Sequence, residues 1–108
     1  MMQAKSSFFG LGIAPGILSV LDSLKFTIPT PIQEAAIPIA IEGKDVIGVA
    51  QTGTGKTLAF GVPMVQRLAK GKGRGLVLVP TRELAIQVHE DLTRLTRAFK
   101  LRTALVIG

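Results

Sequence analysis

Cysteine is absent from the 108 residues. That excludes a disulfide framework and any Cys-ligated zinc or iron–sulfur site. Histidine occurs once, at His89, which argues against a His-rich metal centre. Long hydrophobic runs are missing too. The longest uncharged stretch, Ser6 to Leu21, is too short to span a bilayer and is interrupted by Gly10, Gly12, Pro15 and Gly16. It follows Lys5 as the apolar part of a signal sequence would, yet no small-residue cleavage site succeeds it. The segment therefore reads as mature folded chain, no membrane partner is expected, and the missing disulfides fit a cytoplasmic location.

Acidic residues are scarce, 7 against 13 Lys and Arg, for a net charge of +6. Residues 1–66 hold four bases and four acids, whereas residues 67–108 hold nine bases and three acids. The whole excess thus lies in the last two-fifths of the chain. A one-sided basic balance points to a polyanionic partner, nucleic acid first, with a merely solvated basic surface as the alternative. Hydrophobic residues at 47% place the chain among globular proteins, and its length is that of one small domain or a piece of a larger one.

Helix and strand signals alternate. Pro15 to Leu24 reads as a short helix with Ile17, Val20, Leu21 and Leu24 on one face. Thr30-Pro31-Ile32-Gln33 opens a second helix that runs to about Ile41, is strained at Pro38 and ends before Gly43. In it Thr30 is the N-cap and Gln33 sits at capping-box spacing. Asp45 to Ala50, Gly75 to Val79 and Thr103 to Ile107 read as buried parallel strands. Lys56 to Ala69, kinked at Pro63, and a long helix capped by Thr81 with the stripe Leu84, Val88, Leu92, Leu95 and Phe99 complete the pattern. Such alternation predicts an α/β fold around a parallel sheet.

Between the first strand and the third helix lies Ala50-Gln51-Thr52-Gly53-Thr54-Gly55-Lys56-Thr57. This is the context of a phosphate-binding (Walker A) loop. Glycines let successive backbone N–H groups converge on phosphate oxygens, and the helix N-terminus adds partial positive charge. Lys56 would reach the β- and γ-phosphates and Thr57 would hold magnesium through its hydroxyl. Ala50 stands where that pattern usually has Gly. A dinucleotide fingerprint fits less well, because Leu58 falls at the position of its third glycine.

Lys25-Phe26-Thr27-Ile28-Pro29-Thr30-Pro31-Ile32-Gln33 resembles the Q motif (25–33) of DEAD-box ATP-dependent RNA helicases, and Phe8 stands where that family carries an isolated upstream aromatic. Ala50 to Thr57 resembles its motif I (50–57), which begins with Ala. Pro80-Thr81-Arg82-Glu83-Leu84-Ala85 resembles its motif Ia (80–85). The resemblance covers residues 1–108 and implies the amino-terminal part of a partial RecA-like P-loop NTPase domain, truncated before the Asp-Glu-Ala-Asp strand. It implies an ATP and magnesium site built from Phe8, Phe26, Gln33, Gln51, Thr52, Gly53, Thr54, Gly55, Lys56 and Thr57, with Lys56 and Thr57 as its catalytic residues. Phe26 would stack on adenine and Gln33 would read the amino and N7 edge of the base. Gln33 as a helix cap, and Phe8 and Phe26 as core residues, are the alternatives. The family usually has Gly where Lys25 stands, a position expected to need no special backbone angle.

Pro80, Thr81, Arg82 and Gly108 would contact an RNA backbone without reading sequence. Against this stand an ordinary N-cap role for Thr81 and a solvated one for Arg82. Asp-Glu-Ala-Asp and Ser-Ala-Thr segments do not occur in the sequence, so these residues alone are not expected to hydrolyse ATP or unwind RNA. The unpaired sheet edges this implies would be closed by rearranged pairing or by a second copy, as in domain swapping. The reading is thus the ATP-binding segment of an RNA helicase. The alternative is a catalytically inactive oligomerising module. A nucleotide kinase is disfavoured, since it needs no adenine reader before the phosphate loop.

Overall fold

A computed structural model describes residues 7–48, 55–71 and 73–107. It contains helix α1 (Pro15–Ser23), α2 (Pro31–Ile41), α3 (Lys56–Lys70) and α4 (Arg82–Thr96), the last followed by a 3-10 turn at Arg97–Phe99. All four helices lie where proline starts, caps and apolar spacing put them. α2 and α3 run through Pro38 and Pro63. Among the described residues no helix is long and apolar enough to cross a membrane.

Inner faces of the helices meet in one core of Phe8, Ile13, Ile17, Leu21, Ile37, Leu58, Val62, Val65 and Leu95. α2 lies on α3, α3 on α4, and α1 touches α4. Ile17, Leu21, Ile37, Val62, Val65 and Leu95 are fully buried, each contributing about 1.5–3 kcal/mol by removal from water. Gln66 on α3 is buried and spends both ends of its amide on the chain entering α1. Its Oε1 accepts from the Ala14 N–H (2.8 Å) and its Nε2 donates to the Gly12 carbonyl (3.2 Å). The first turn of α1 has no side-chain cap of its own, so this contact fixes where the helix begins.

The expected sheet does not form among the described residues. Asp45–Gly48, Gly75–Val79 and Thr103–Ile107 have no strand ladder, and Val49 and Ala50 lie outside the described residues. The burial expected of these segments fails as well: Ile47 is 97% exposed, Leu76 79%, Leu78 83% and Val106 88%. The reason is the geometry of strands. An extended backbone pairs its N–H and C=O groups only with a neighbour about 4.7–4.9 Å away, and its two faces are covered only inside a completed sheet. Here Gly75–Pro80 and Leu101–Ile107 line one open trough of about 1040 Å³, floored by Met64, Val65 and Leu68 of α3 and Leu92 of α4. Val77 and Val79 are half-buried while Leu76 and Leu78 face out, a period-two alternation that retains the strand pattern without its partners.

Candidate functional site

Phe26 is placed by the way α1 ends. The Phe26 N–H donates to the Leu21 carbonyl and the Lys25 N–H to the Asp22 carbonyl, both at 2.9 Å. This pair of bonds closes a helix through a left-handed residue, and that residue is Lys25, with φ 69°. The expectation that Lys25 needs no special backbone angle is therefore corrected. It occupies the conformation in which glycine is favoured, because a Cβ there crowds the backbone. Phe26 emerges from the turn packed against the edge of the core.

Thr30 and Gln33 then form a complete capping box. The Thr30 N–H donates to Gln33 Oε1 at 2.8 Å, and the Gln33 N–H reaches Thr30 Oγ1 at 3.4 Å. Gln33 is only 3% exposed, and its Nε2 also donates to the carbonyl of Gly55 (3.1 Å), 22 residues on. That carbonyl takes a second bond from the Ala59 N–H (3.2 Å), the first of the α3 ladder. Because one end of the amide meets a donor and the other an acceptor, its orientation is fixed. Gly55 has φ +87°, and a Cβ on it would run into Gln33 Nε2 and the Thr30 side chain. Glycine is required there both by backbone angle and by space.

Phe26, Ile28, Thr30, Gln33, Gly55 and Thr57 line a single hollow of about 240 Å³. Lys56 and Thr57 are the first two residues of α3, at the positive end of the helix. Gln51, Thr52, Gly53 and Thr54 lie outside the described residues. Phe8 is not brought to the hollow; it is buried in the core. Thr81 caps α4 by accepting from the Leu84 N–H (3.2 Å), and Arg82 is the first residue of that helix. Pro80, Thr81 and Arg82 are exposed at the rim of the trough, together with Val106 and Ile107. Gly108 lies outside the described residues.

Sequence reasoning missed the contribution of α4 to the hollow, namely Asp91, Arg94 and Leu95. Their spacing of three and four residues marks one helix face. They adjoin the apolar stripe at Leu95, but nothing local ties that face to Phe26.

A family profile described as DEAD/DEAH box helicase matches residues 30–108. An ATP-dependent rRNA helicase, RRP3, of Debaryomyces hansenii is 50% identical over 104 residues, which is 94% of this chain and 22% of that protein. The chain thus spans about a fifth of the length of this relative. Among solved structures, the RNA helicase Prp28 of Chaetomium thermophilum bound to ADP superposes with TM-score 0.87 at 31% identity, over all of this chain and 28% of that one. Dbp5 of S. cerevisiae bound to RNA and ADP BeF3 gives 0.77 at 35% identity, over 89% of this chain and 25% of that one. The arrangement of α1–α4 is therefore that of the RecA-like domain of these helicases, although no parallel sheet forms among the described residues.

Proposed function

The chain belongs to the DEAD/DEAH box helicase family, and from that membership we propose that residues 25–57 form the adenine-nucleotide site of an ATP-dependent RNA helicase. The observation that carries this reading is the Gln33 amide. It is buried, tied at one end to the Thr30 cap and at the other to Gly55 in the phosphate loop. An amide has two donors and two acceptor lone pairs; these bonds use one of each and leave one of each. The remaining pair is the complement of the amino and N7 edge of adenine. Capping and base reading are thus two uses of one side chain.

The residues present fit a nucleoside phosphate with its magnesium ion. Gly55 keeps the start of α3 free of side chain, and the Lys56 ammonium and Thr57 hydroxyl follow on the first turn. The ion would neutralise phosphate charge. Pro80, Thr81 and Arg82 would hold an RNA backbone; their exposure at the amino end of α4, where helical N–H groups point outward, supports this. Hydrolysis and unwinding are proposed for a protein of the relatives' full length, in which these residues would supply the binding part.

A second reading, a self-associating module, is favoured by the bare side chains of Leu76, Leu78 and Val106. One titration separates the two. Calorimetry with ADP and magnesium, beside GDP, is expected to show micromolar to millimolar binding that prefers adenine. Lys56→Ala should weaken it by about 1.5–3 kcal/mol, the usual loss of a charged hydrogen bond. Binding of neither nucleotide would remove the first reading and leave the second.

A further inference from the structure

The hollow that holds Phe26 and Gln33 has a wall that the motifs do not supply. Asp91, Arg94 and Leu95 reach it from α4, at least 58 residues further along the chain. Leu95 is fully buried and anchors the helix at this point. Asp91, one turn before Leu95, is half-buried, and Arg94, three residues after Asp91, is exposed at the rim. Among the described residues no ion pair joins their side chains to one another. The base hollow therefore has a carboxylate, which only accepts, and a guanidinium, which only donates, side by side on one helix.

We infer that Asp91 and Arg94 are specificity-determining residues that read the Watson–Crick edge of the adenine base. The inference rests on the adenine-site reading above and deepens it. Gln33 has one donor and one acceptor left for the amino and N7 edge, which leaves the second amino hydrogen and N1 unread. Adenine presents there a donor next to an acceptor. Asp91 accepts from the amino group, and Arg94 donates to N1. Hypoxanthine and guanine present the reverse, an O6 acceptor next to an N1–H donor. Against them the carboxylate would meet an oxygen and the guanidinium a hydrogen, so the two hydrogen bonds made to adenine would not form. Gly55 and Thr57 line the same hollow, so the phosphates of a base seated there would extend toward the start of α3.

The test is calorimetry on the chain with ADP, IDP, 1-deaza-ADP and 7-deaza-ADP, each with magnesium. The first analogue removes the N1 acceptor and the second the N7 acceptor. In the unaltered chain both deaza compounds should bind about fivefold to tenfold more weakly than ADP, the loss of one hydrogen bond. Arg94→Ala should lose a similar factor for ADP, show no further loss with 1-deaza-ADP, and keep its sensitivity to 7-deaza-ADP. Asp91→Ala should shrink the preference for ADP over IDP severalfold. Thermal melts of each variant check folding, and Arg94→Lys, which keeps the charge, guards against a general electrostatic effect by restoring at most part of the affinity. If Phe26→Ala weakens ADP while Arg94→Ala and Asp91→Ala leave every affinity and ratio unchanged, the inference is overturned and the adenine site stands. If the unaltered chain binds neither ADP nor IDP, the site reading fails and takes the inference with it.

Discussion

Leu21 and Leu78 are the same side chain in two regions with opposite surroundings. Leu21, on α1, is 1% exposed; Leu78, in the segment after α3, is 83% exposed. Helices α1, α2 and α3 bury their inner apolar faces and are held by caps, turns and two buried glutamines. Residues 73–107 contain one well-formed helix flanked by extended segments whose leucines and valines face out. Apolar content does not separate the two regions; the reach of the bonds does. A helix satisfies its backbone internally, and a capping box closes over three residues. A parallel strand is satisfied only by strands that lie far away in sequence.

The sharpest way to break the ordered region is at Gly55. An alanine there would hold a left-handed angle costing about 1–2 kcal/mol and drive its Cβ into Gln33 and Thr30. Gly55→Ala is expected to destabilise the chain by about 2–4 kcal/mol, since strain and overpacking add. Nucleotide binding should fall with it. Urea unfolding measures the first and calorimetry the second. An unchanged urea midpoint would mean that the contact between Gln33 and Gly55 does not hold α2 to α3.

A matched pair of truncations tests the contrast itself. Leu95→Ala empties a fully buried position against α3 and should cost about 2–5 kcal/mol. Leu78→Ala removes the same atoms from a position already in water and should cost less than about 0.5 kcal/mol. Equal losses in denaturant melts would show that the segment around Leu78 is packed in solution, and the difference between the two regions would vanish.

What the sequence disclosed follows the same division. Thr30 and Gln33 as a capping box, Pro15 and Pro31 at helix starts and Thr81 as a cap were all legible, because each is decided within a few residues. Gln33 was readable as cap or base reader, and the fold gives the cap directly while leaving part of the amide for the base. The link from Gln33 to Gly55 was not legible, nor was the α4 wall at Asp91 and Arg94, because both depend on how helices pack. The expected strands are unpaired among the described residues for a related reason. A run such as Leu76 to Val79 carries the preference for extended backbone, and it does not carry the neighbours that make it a sheet. Lys25 was misjudged differently: its angle is set by the two bonds that end α1, which the residue type does not announce.

That last position gives the finest test, since the chain contains its own control. α1 and α2 end with the same bond pattern. In α2 the Lys44 N–H donates to the Ile39 carbonyl (3.3 Å) and the Gly43 N–H to the Ala40 carbonyl (3.0 Å), with Gly43 at φ +90°. In α1 the corresponding residue is Lys25 at φ 69°. Lys25→Gly relieves the left-handed strain, but a glycine also gains freedom in the unfolded chain, which offsets part of the benefit. The net expectation is a gain of about 0.5–1 kcal/mol, and Gly43→Ala should lose about 1 kcal/mol. Urea midpoints moving in opposite directions would establish that both caps hold in solution. A loss from Lys25→Gly would instead mean that the lysine side chain contributes more to the fold than its backbone angle costs.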